Sequence, residues 1–444
     1  MKRNNLADFN VKCLLSLVQS RRLNRMAKTA AGIVLIFVCG LVAPPNTHGV
    51  EITINAEFKP DPAFPNRNVF TNKTPNTGQY CYYNPADCAS KGVFGIAAPV
   101  VFRSAVPVVA NHTDPRQGAM VTIPGAWRTL TVRHNQTLET EEVKIRITGF
   151  GTVLSIDPDT VHTLVPGATS WGDGHNKLWS GSNWSIPPSP CTRKSTPLYT
   201  GGNFWFFWGA PEADVTCAKK ALYNIPKLAY HSLDFAYELK TPDPLGMSAG
   251  DYSGNLAYTI GPYQDFDMGD LLIPNSSVLN LNFNLNVQHT LKVDIPPGGN
   301  RVELVPKGGW YQWLLIARVP ETLASDQSFS VSASSRFKML LSCERVMGDT
   351  CALSNNVSHN VSHNVPINIF VSLPGGITDS NGASITRKPL LTSGQGTELF
   401  QPSRYVDGKT GVLHFEIEKK YVNEMLDQAG TYKGNVTVIW DSEV

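Results

Sequence analysis

The sequence predicts an all-β protein with two immunoglobulin-like β-sandwich domains in tandem, and three observations support this fold class. Apolar and polar residues alternate over long stretches, most clearly in Leu279–Val293, which is the pattern of a strand with one buried face. Helical periodicity is weak, and Tyr421–Gln428 would give at most one or two turns. Residues 249–258 recur 180 positions later at 429–438. Such a repeat indicates two related domains.

Residues 1–49 have the composition of a secretory signal peptide. Basic residues precede the 14-residue apolar stretch Ala30–Ala43, and small residues follow it. This stretch is short for a membrane-spanning helix. Both Met1 and Met26 stay open as start sites, and Val50 is the predicted mature N-terminus. Without the seven basic residues and one acid of residues 1–49, the formal charge changes from +2 to −4. The charge therefore predicts no nucleic-acid partner.

The predicted domains are 50–295 and 301–444, joined by the linker 296–300, Pro-Pro-Gly-Gly-Asn. In the first domain, the repeat is followed by the alternating stretch Leu279–Val293, which would close the sandwich. In the second domain, only residues 441–444 follow the repeat strand. The C-terminal domain is therefore predicted to lack its last strand, which leaves an unpaired edge and an apolar groove. The residues predicted to line this groove are Tyr432, Gly434, Val436, Val438 and Trp440.

Six cysteines follow the signal peptide, and they form three couples that are local in sequence. The simplest pairing is Cys81–Cys88, Cys191–Cys217 and Cys343–Cys351. A zinc site is the alternative, but no Cys-x2-Cys spacing supports it. The disulfides predict an oxidising compartment.

The segments 301–309 (RVELVPKGG) and 429–438 (AGTYKGNVTV) resemble the pilin domain of two-domain tip adhesins of chaperone–usher fimbriae. The colonization-factor type and its cable-pilus relatives are most similar. This resemblance implies a receptor-binding N-terminal domain and a C-terminal pilin domain that is completed by donor-strand complementation. It also implies a periplasmic chaperone, an outer-membrane usher, an adjacent pilin subunit and a host-surface glycan or glycoprotein as partners. The implied location is the tip of a surface fimbrium of a Gram-negative bacterium, reached through the periplasm.

Two features depart from that family. The predicted first domain has 246 residues, which is larger than we expect for such adhesins. The family's basic receptor-binding patch also has no counterpart that matches by position, so the resemblance assigns no receptor residue here.

Five of the nine tryptophans lie within residues 171–208. Aromatic rings stack on sugar rings, while Asp, Asn and His bind hydroxyl groups. This composition predicts a receptor-binding surface that comprises Trp171, Asp173, His175, Asn176, Trp179 and Trp184. The alternative is core packing, which is the stronger interpretation for the continuous apolar segment Phe204–Trp208.

No motif supports a catalytic residue, a metal or a cofactor, and we expect no enzyme activity. Gly246–Gly250 fits Gly-x-Ser-x-Gly, but a nucleophile elbow needs a strand before it and a helix after it. Asp265, Asp267 and Asp270 could bind a cation or could form an acidic loop. Two other functions stay open: a structural or assembly-initiating pilus subunit without a receptor, and a secreted carbohydrate-active enzyme, which would need two carboxylates in a cleft.

Overall fold

The computed structural model describes residues 49–316, 319–357, 361–428 and 430–442. Strands dominate these ranges, which confirms the predicted all-β class. No helix within them is long and apolar enough to cross a membrane. The predicted signal peptide, apart from Gly49, lies outside the described residues.

Residues 49–287 form what we call the N-terminal region. Its strands are β1 Val50–Phe58, β2 Thr71–Asn72, β3 Val93–Ala98, β4 Phe102–Ser104, β5 Ala119–Pro124, β6 Arg128–His134, β7 Thr140–Ser155, β8 Thr192–Arg193, β9 Leu198–Tyr199, β10 Asn203–Gly209, β11 Asp214–Lys219, β12 Ala229–Tyr230, β13 Leu233–Lys240, β14 Gly250–Thr259, β15 Leu272–Pro274 and β16 Val278–Val287. Its helices are α1 Gln79–Tyr83, α2 Pro85–Lys91, α3 Val161–Leu164 and α4 Trp171–Leu178, with 3₁₀ turns at Pro115–Gln117 and Pro244–Gly246.

The main sheet of the N-terminal region has the order β15-β4-β12-β7-β6-β14-β16-β1-β2. The long strand β7 also pairs with β10 and with β13, so it joins these two strands to the main sheet. One large hydrophobic core fills most of the region, and a smaller buried cluster contains Cys81, Cys88 and Phe207.

Strand β16 closes the N-terminal region, as its alternating sequence predicts. It pairs antiparallel with β14 and parallel with β1. Leu281 and Phe283 are fully buried, whereas the asparagines between the apolar residues lie on the other face, where Asn280 and Asn282 donate to the Glu51 carboxylate. Because β1 is paired within the sheet, it serves as the first strand of this region.

The single strand predicted over Leu279–Val293 is wrong in its length. Strand β16 ends at Val287. The chain then forms β17, Leu291–Asp294, which pairs with residues 330–333 in a different sheet. Between them, the His289 ring contacts both sides, with Nε2 at 2.9 Å from the carbonyl oxygen of Met247 and Nδ1 at 3.2 Å from Ser334 Oγ. The alternation continues through this change of partner because both strands have an apolar face.

Residues 291–442 form the C-terminal region. Its strands are β17 Leu291–Asp294, β18 Val305–Pro306, β19 Thr322–Ala333, β20 Phe337–Cys343, β21 Val346–Met347, β22 Thr350–Val357, β23 Val361–Ser372, β24 Ile377–Asp379, β25 Lys388–Leu390, β26 Phe400–Pro402, β27 Val406–Glu418 and β28 Val436–Ser442. Its helices are α5 Trp310–Ile316 and α6 Lys419–Asp427.

Two sheets enclose a second hydrophobic core in the C-terminal region. One sheet has the order β17-β19-β27-β23-β22-β21, and the other has the order β24-β26-β20-β28. Phe329 of β19 meets Trp440 of β28 with ring centroids 5.6 Å apart, so side chains of both sheets join in this core.

All three predicted disulfides are confirmed. Cys81–Cys88 joins α1 to α2, Cys191–Cys217 ties the segment before β8 to β11, and Cys343–Cys351 joins β20 to β22.

The internal repeat has a structural counterpart in two equivalent tyrosines. The Tyr252 hydroxyl lies 3.3 Å from the carbonyl oxygen of Ser248, and the Tyr432 hydroxyl donates to the carbonyl oxygen of Gln428 over 3.1 Å. Each tyrosine thus contacts the backbone four residues upstream, as in the tyrosine corner of immunoglobulin-like sandwiches. This shared corner supports a common fold for the two regions.

Candidate functional site

Among the described residues, strand β28 has a partner strand on one edge. It pairs antiparallel with β20, from Val436 opposite Cys343 to Ser442 opposite Phe337. No strand within the described ranges pairs with its other edge. An open edge offers unpaired backbone N–H and C=O groups to an additional strand.

The side chains of β28 are incompletely covered. Val436, Val438 and Trp440 are half-buried and pack at the margin of the C-terminal core. The partly buried residues Leu291, Val293, Val302 and Leu304, from the start of the region, pack against the same core. The indole Nε1 of Trp440 is buried and has no hydrogen-bond partner among the described residues. The margin therefore combines half-exposed apolar side chains with an open strand edge.

The equivalent strand of the N-terminal region has a strand beside each of its edges. Strand β14 corresponds to β28 through the repeat, and β16 lies beside it, with Leu281 opposite Leu256 and Leu279 opposite Tyr258. By the 180-residue offset, Leu256 and Tyr258 correspond to Val436 and Val438. The position that β16 occupies beside β14 thus has no occupant beside β28 among the described strands.

Two of the predicted groove residues lie before β28 rather than on it. The Tyr432 hydroxyl contacts His363 Nδ1 at 2.7 Å. A Cβ at Gly434 would lie 2.9 Å from the carbonyl oxygen of Ala352, so this glycine permits a close approach to β22. Of the predicted set, Val436, Val438 and Trp440 are on the open strand.

The structure divides the predicted receptor-binding residues. Trp179 and Trp184 are 1% and 0% exposed, and His175 is also buried. Trp184 stacks on Trp208 with ring centroids 4.7 Å apart, and Trp208 Nε1 donates to the carbonyl oxygen of Trp184 over 2.7 Å. We therefore remove Trp179, Trp184 and His175 from the receptor-contacting set, because core packing occupies their side chains.

The buried side chain of His175 stabilises the segment that carries Tyr199. Its Nε2 lies 2.8 Å from the carbonyl oxygen of Thr200, and its ring contacts the rings of Tyr199 and Phe204. Burial lowers the pKa of His175 below its ordinary value. A neutral imidazole here donates from Nε2 to the carbonyl and holds the segment that carries Tyr199.

We call two exposed aromatic residues, Trp171 and Tyr199, the exposed aromatic pair. Their exposed fractions are 49% and 38%. A Cβ at Gly172 would lie 2.7 Å from the Tyr199 hydroxyl, and one at Gly201 would lie 3.1 Å from Trp171 Nε1. These glycines let the two rings lie close to the backbone. Sequence reasoning identified Trp171 but missed Tyr199, which lies within the same range, residues 171–208, because only the tryptophans and their polar neighbours were considered.

Asp173 and Asn176 bind neighbouring side chains of the same segment. The carboxylate of Asp173 accepts from Lys177 Nζ at 2.7 Å and from the backbone N–H of Thr169 at 2.9 Å. The hydrogen bond from Lys177 is the main reason that its pKa lies below the ordinary value. Asn176 Oδ1 accepts from the Asn183 side chain at 2.6 Å. Both residues stabilise the local segment around α4.

The acidic loop pairs with arginines. Arg116 binds Asp267 and Asp270, each at 2.7 Å, and Arg128 binds Asp265. Among the described residues, no group of three or more His, Cys, Asp or Glu side chains could hold a metal ion. The three carboxylates thus have a structural explanation in ion pairs.

The Gly-x-Ser-x-Gly segment does not form a nucleophile elbow. The 3₁₀ turn Pro244–Gly246 precedes Ser248, and β14 follows it, so neither the required strand nor the required helix flanks the serine.

No family model matches the chain, and no curated protein matches it. The chain is similar to solved structures of fimbrial tip adhesins. CfaE, the adhesive subunit of CFA/I fimbria of enterotoxigenic Escherichia coli, has 10% identity and a TM-score of 0.24, with 89% of this chain and 95% of CfaE covered. A chaperone–tip adhesin complex of CFA/I fimbriae has 10% identity and a TM-score of 0.22, with coverages of 89% and 97%. The CsuC–CsuE chaperone–adhesin complex of Acinetobacter baumannii Csu pili has 9% identity and a TM-score of 0.20, with coverages of 88% and 98%.

These neighbours belong to the class of protein that the sequence resembles, the tip adhesins of chaperone–usher pili. At TM-scores of 0.20–0.24 the similarity carries no argument about function. An argument about function therefore has to rest on the open edge of β28 and on the exposed surfaces of the N-terminal region.

Proposed function

We propose that this chain is a tip adhesin of a chaperone–usher fimbria. The N-terminal region binds a host-surface receptor, and the C-terminal region joins the pilus by accepting a strand from another subunit. The observation that carries this proposal is the difference between β14, which has a strand on each side, and β28, which has one on a single side among the described strands.

The N-terminal region supplies a template for the missing strand. Strand β16 runs antiparallel to β14, with apolar residues facing the core and asparagines facing outward. A strand beside β28 would follow the same pattern, with apolar side chains opposite Val436 and Val438. Such a strand would cover the half-buried side chains and pair the open backbone edge.

Export follows from the same assignment. Three disulfides and a signal-like N-terminus fit an oxidising compartment. A periplasmic chaperone would cover the open edge before assembly, an outer-membrane usher would deliver the subunit, and the adjacent pilin would then donate its strand. The division into an adhesin domain over 50–295 and a pilin domain over 301–444 belongs to this proposal. Because residues 291–294 pair with β19 of the C-terminal region, we place the boundary between the two domains at 288–290.

Receptor binding is assigned to the exposed aromatic pair. Trp171 and Tyr199 offer rings to a sugar, and Asp173 and Asn176 lie on the same helix as Trp171. Replacing Trp171 with Ala should abolish the binding of neutral glycans on an array by the full chain. Tyr311→Ala, which removes an exposed aromatic residue from the C-terminal region, is the matched control and should leave binding unchanged. A chain that binds no glycan would instead indicate a structural subunit.

The strand proposal is tested by adding the template itself. The chain is extended by a short flexible linker and a copy of residues 278–287, VLNLNFNLNV. We expect the extended protein to be monomeric and to unfold at a higher temperature than the unextended chain. In the control extension, the four positions equivalent to Leu279, Leu281, Phe283 and Leu285 are Asn. Equal stability of the two extended proteins would refute strand acceptance.

A further inference from the structure

A cavity of the N-terminal region has a lining that does not include Trp171 or Tyr199. Its volume is about 380 Å³, within the range of small-molecule sites (~300–1,000 Å³). Helix α2 contributes Asp87 and Lys91, β7 contributes Arg146, β13 contributes Glu238, and Lys194 lies between β8 and β9. Three cations therefore face two carboxylates.

Both carboxylates already have partners. Asp87 accepts from Lys91 Nζ at 2.6 Å and also binds the Tyr80 hydroxyl. The hydrogen bond from Lys91 is the largest cause that lowers the pKa of Asp87, so this group is ionised at neutral pH. Glu238 binds Arg146 through two hydrogen bonds, of 2.9 and 3.2 Å. The acceptors of the cavity are thus largely used within the protein.

The donors are in excess. Arg146 Nη1 is buried and has no hydrogen-bond partner in the described part of the chain. Lys194 is exposed and forms no ion pair with any described residue. A cavity with spare cationic donors and occupied carboxylates favours an anionic ligand, because charge-assisted hydrogen bonds to carboxylate or sulfate oxygens would satisfy these groups.

An aromatic wall accompanies the cations. Phe207 stacks on Tyr80 with ring centroids 4.6 Å apart and an interplanar angle of 14°. A Cβ at Gly149 or at Gly151 would lie 2.5 Å from the Phe207 ring, so the glycines of β7 make room for this side chain. A Cβ at Gly209 would lie 2.5 Å from Lys194 Cε, so the lysine stem also rests on a glycine. The backbone is thus shaped around both the wall and the unpaired lysine.

We propose that this cavity binds an acidic sugar residue, one that carries a carboxylate or sulfate group. The anionic group would lie near Lys194 and Arg146, and the sugar ring would lie against the half-buried ring of Tyr80, which stacks on the buried Phe207. This assignment rests on the adhesin proposal for the source of the ligand, a host-surface glycan, while the chemistry of the cavity stands on its own contacts.

The test measures binding to the full chain, stabilised by the appended strand, by calorimetry. The probes are methyl glucuronide, galactose 3-sulfate, the neutral methyl glucoside and inorganic sulfate. We expect one or both acidic sugars to bind and the neutral sugar to bind at least about tenfold more weakly. Lys194→Gln should weaken the acidic sugar about tenfold, since it removes one charge-assisted contact. Lys227→Gln removes an equally exposed lysine elsewhere and should have no effect.

Three results would overturn the inference: equal binding of the neutral sugar, inorganic sulfate binding as tightly as the acidic sugars, or unchanged affinity in Lys194→Gln. The preferred acidic probe distinguishes a carboxylate ligand from a sulfate ligand. A failure here is separable from a failure of the adhesin proposal, because stabilisation by the appended strand and the effect of Trp171→Ala are measured independently.

Discussion

Strands β14 and β28 are related by the internal repeat, yet they differ in their surroundings. On β14, Tyr252 and Tyr258 are fully buried beneath the strands on both sides. On β28, no residue is buried to the same extent, and Val436, Val438 and Trp440 are half-exposed. Five of the ten motif positions are identical, and Tyr258 corresponds to Val438, so the two strands differ in side chains as well as in neighbouring strands. The comparison shows what β28 would gain from a partner.

The largest effect is expected for a charge in the strand that covers β14. Leu281→Asp would bury a carboxylate in the N-terminal core, because Leu281 is 0% exposed. We expect a loss of about 4 kcal/mol or more in the free energy of unfolding, measured by urea denaturation. Asn284→Asp, on the exposed face of β16, is the control and should cost less than about 0.5 kcal/mol. Similar losses for both variants would mean that β16 is not a closing strand.

A charge on the open strand should act only when a partner strand is present. Val438→Asp should cost under about 1 kcal/mol in the unextended chain, because Val438 is half-exposed there. In the chain with the appended strand, it should remove about 2 kcal/mol, since the carboxylate would be covered. Thermal unfolding of the four proteins measures both effects.

The matched control for Val438 is the neighbouring residue, Thr437. Its side chain is exposed on the opposite face of β28, so Thr437→Asp should be mild in both backgrounds. If Thr437→Asp and Val438→Asp behaved alike in the extended chain, the appended strand would not lie where we propose.

The two tyrosine corners give an intermediate effect. The Tyr252 hydroxyl donates to Glu139 over 2.8 Å and accepts from the backbone N–H of Ser248 over 3.0 Å. Tyr252→Phe should therefore cost about 2 kcal/mol, because these groups lose a buried partner. Tyr432→Phe should cost about 1 kcal/mol, since its hydroxyl is nearer to solvent. Urea denaturation measures both, and the reverse ranking would contradict the greater coverage of the N-terminal corner.

The smallest effect concerns pH and is confined to the N-terminal region. Burial raises the pKa of Asp234, a residue of β13, to about 6 from 3.8. Between these values, the folded state binds more protons than the unfolded state, so the contribution of Asp234 to stability falls as the pH rises through 6. Asp234→Asn should unfold about 2–4 °C higher than the wild type at pH 7.

The difference between the two proteins should shrink at pH 5 to about half its value at pH 7, because Asp234 is then largely protonated in the folded state but still ionised in the unfolded state. Differential scanning calorimetry at both pH values checks this. A constant difference between the two proteins from pH 7 to pH 5 would mean that Asp234 does not titrate in this range.

In the C-terminal region, the pKa of Asp349 and that of Asp379 are lowered by hydrogen bonds, from Ser393 and from the backbone N–H of Ala383 respectively. These two carboxylates therefore change the stability of the protein only below about pH 4, outside the range from pH 5 to pH 7.

The sequence predicted features that depend on neighbouring residues. The alternation of Leu and Asn predicted β16 and its buried face, and the spacing of the cysteines predicted the three disulfides. It also predicted the relation between Tyr252 and Tyr432. It failed at residues 288–290, where the chain changes sheets while the apolar pattern continues, because a pattern records burial and not the identity of the covering strand.

The candidate site was predicted less well. Trp171 and Trp184 stand in similar stretches of Gly, Ser and Asn, yet Trp171 is 49% exposed and Trp184 is fully buried. The stack of Trp184 on Trp208 decides this difference, and it joins residues 24 positions apart. The cavity with Arg146 and Lys194 has no signature in sequence, since its lining comes from five separate segments.

The sequence by itself determined that this chain consists of strands, that its cysteines pair locally and that one strand motif occurs twice. These properties arise from the period of the backbone and from residues that are near one another along the chain. Only the tertiary structure decided which tryptophan faces solvent, which carboxylates are bound by arginines and where the chain passes from one sheet to the other. These properties depend on contacts between distant segments, and burial is a property of the assembled sheets.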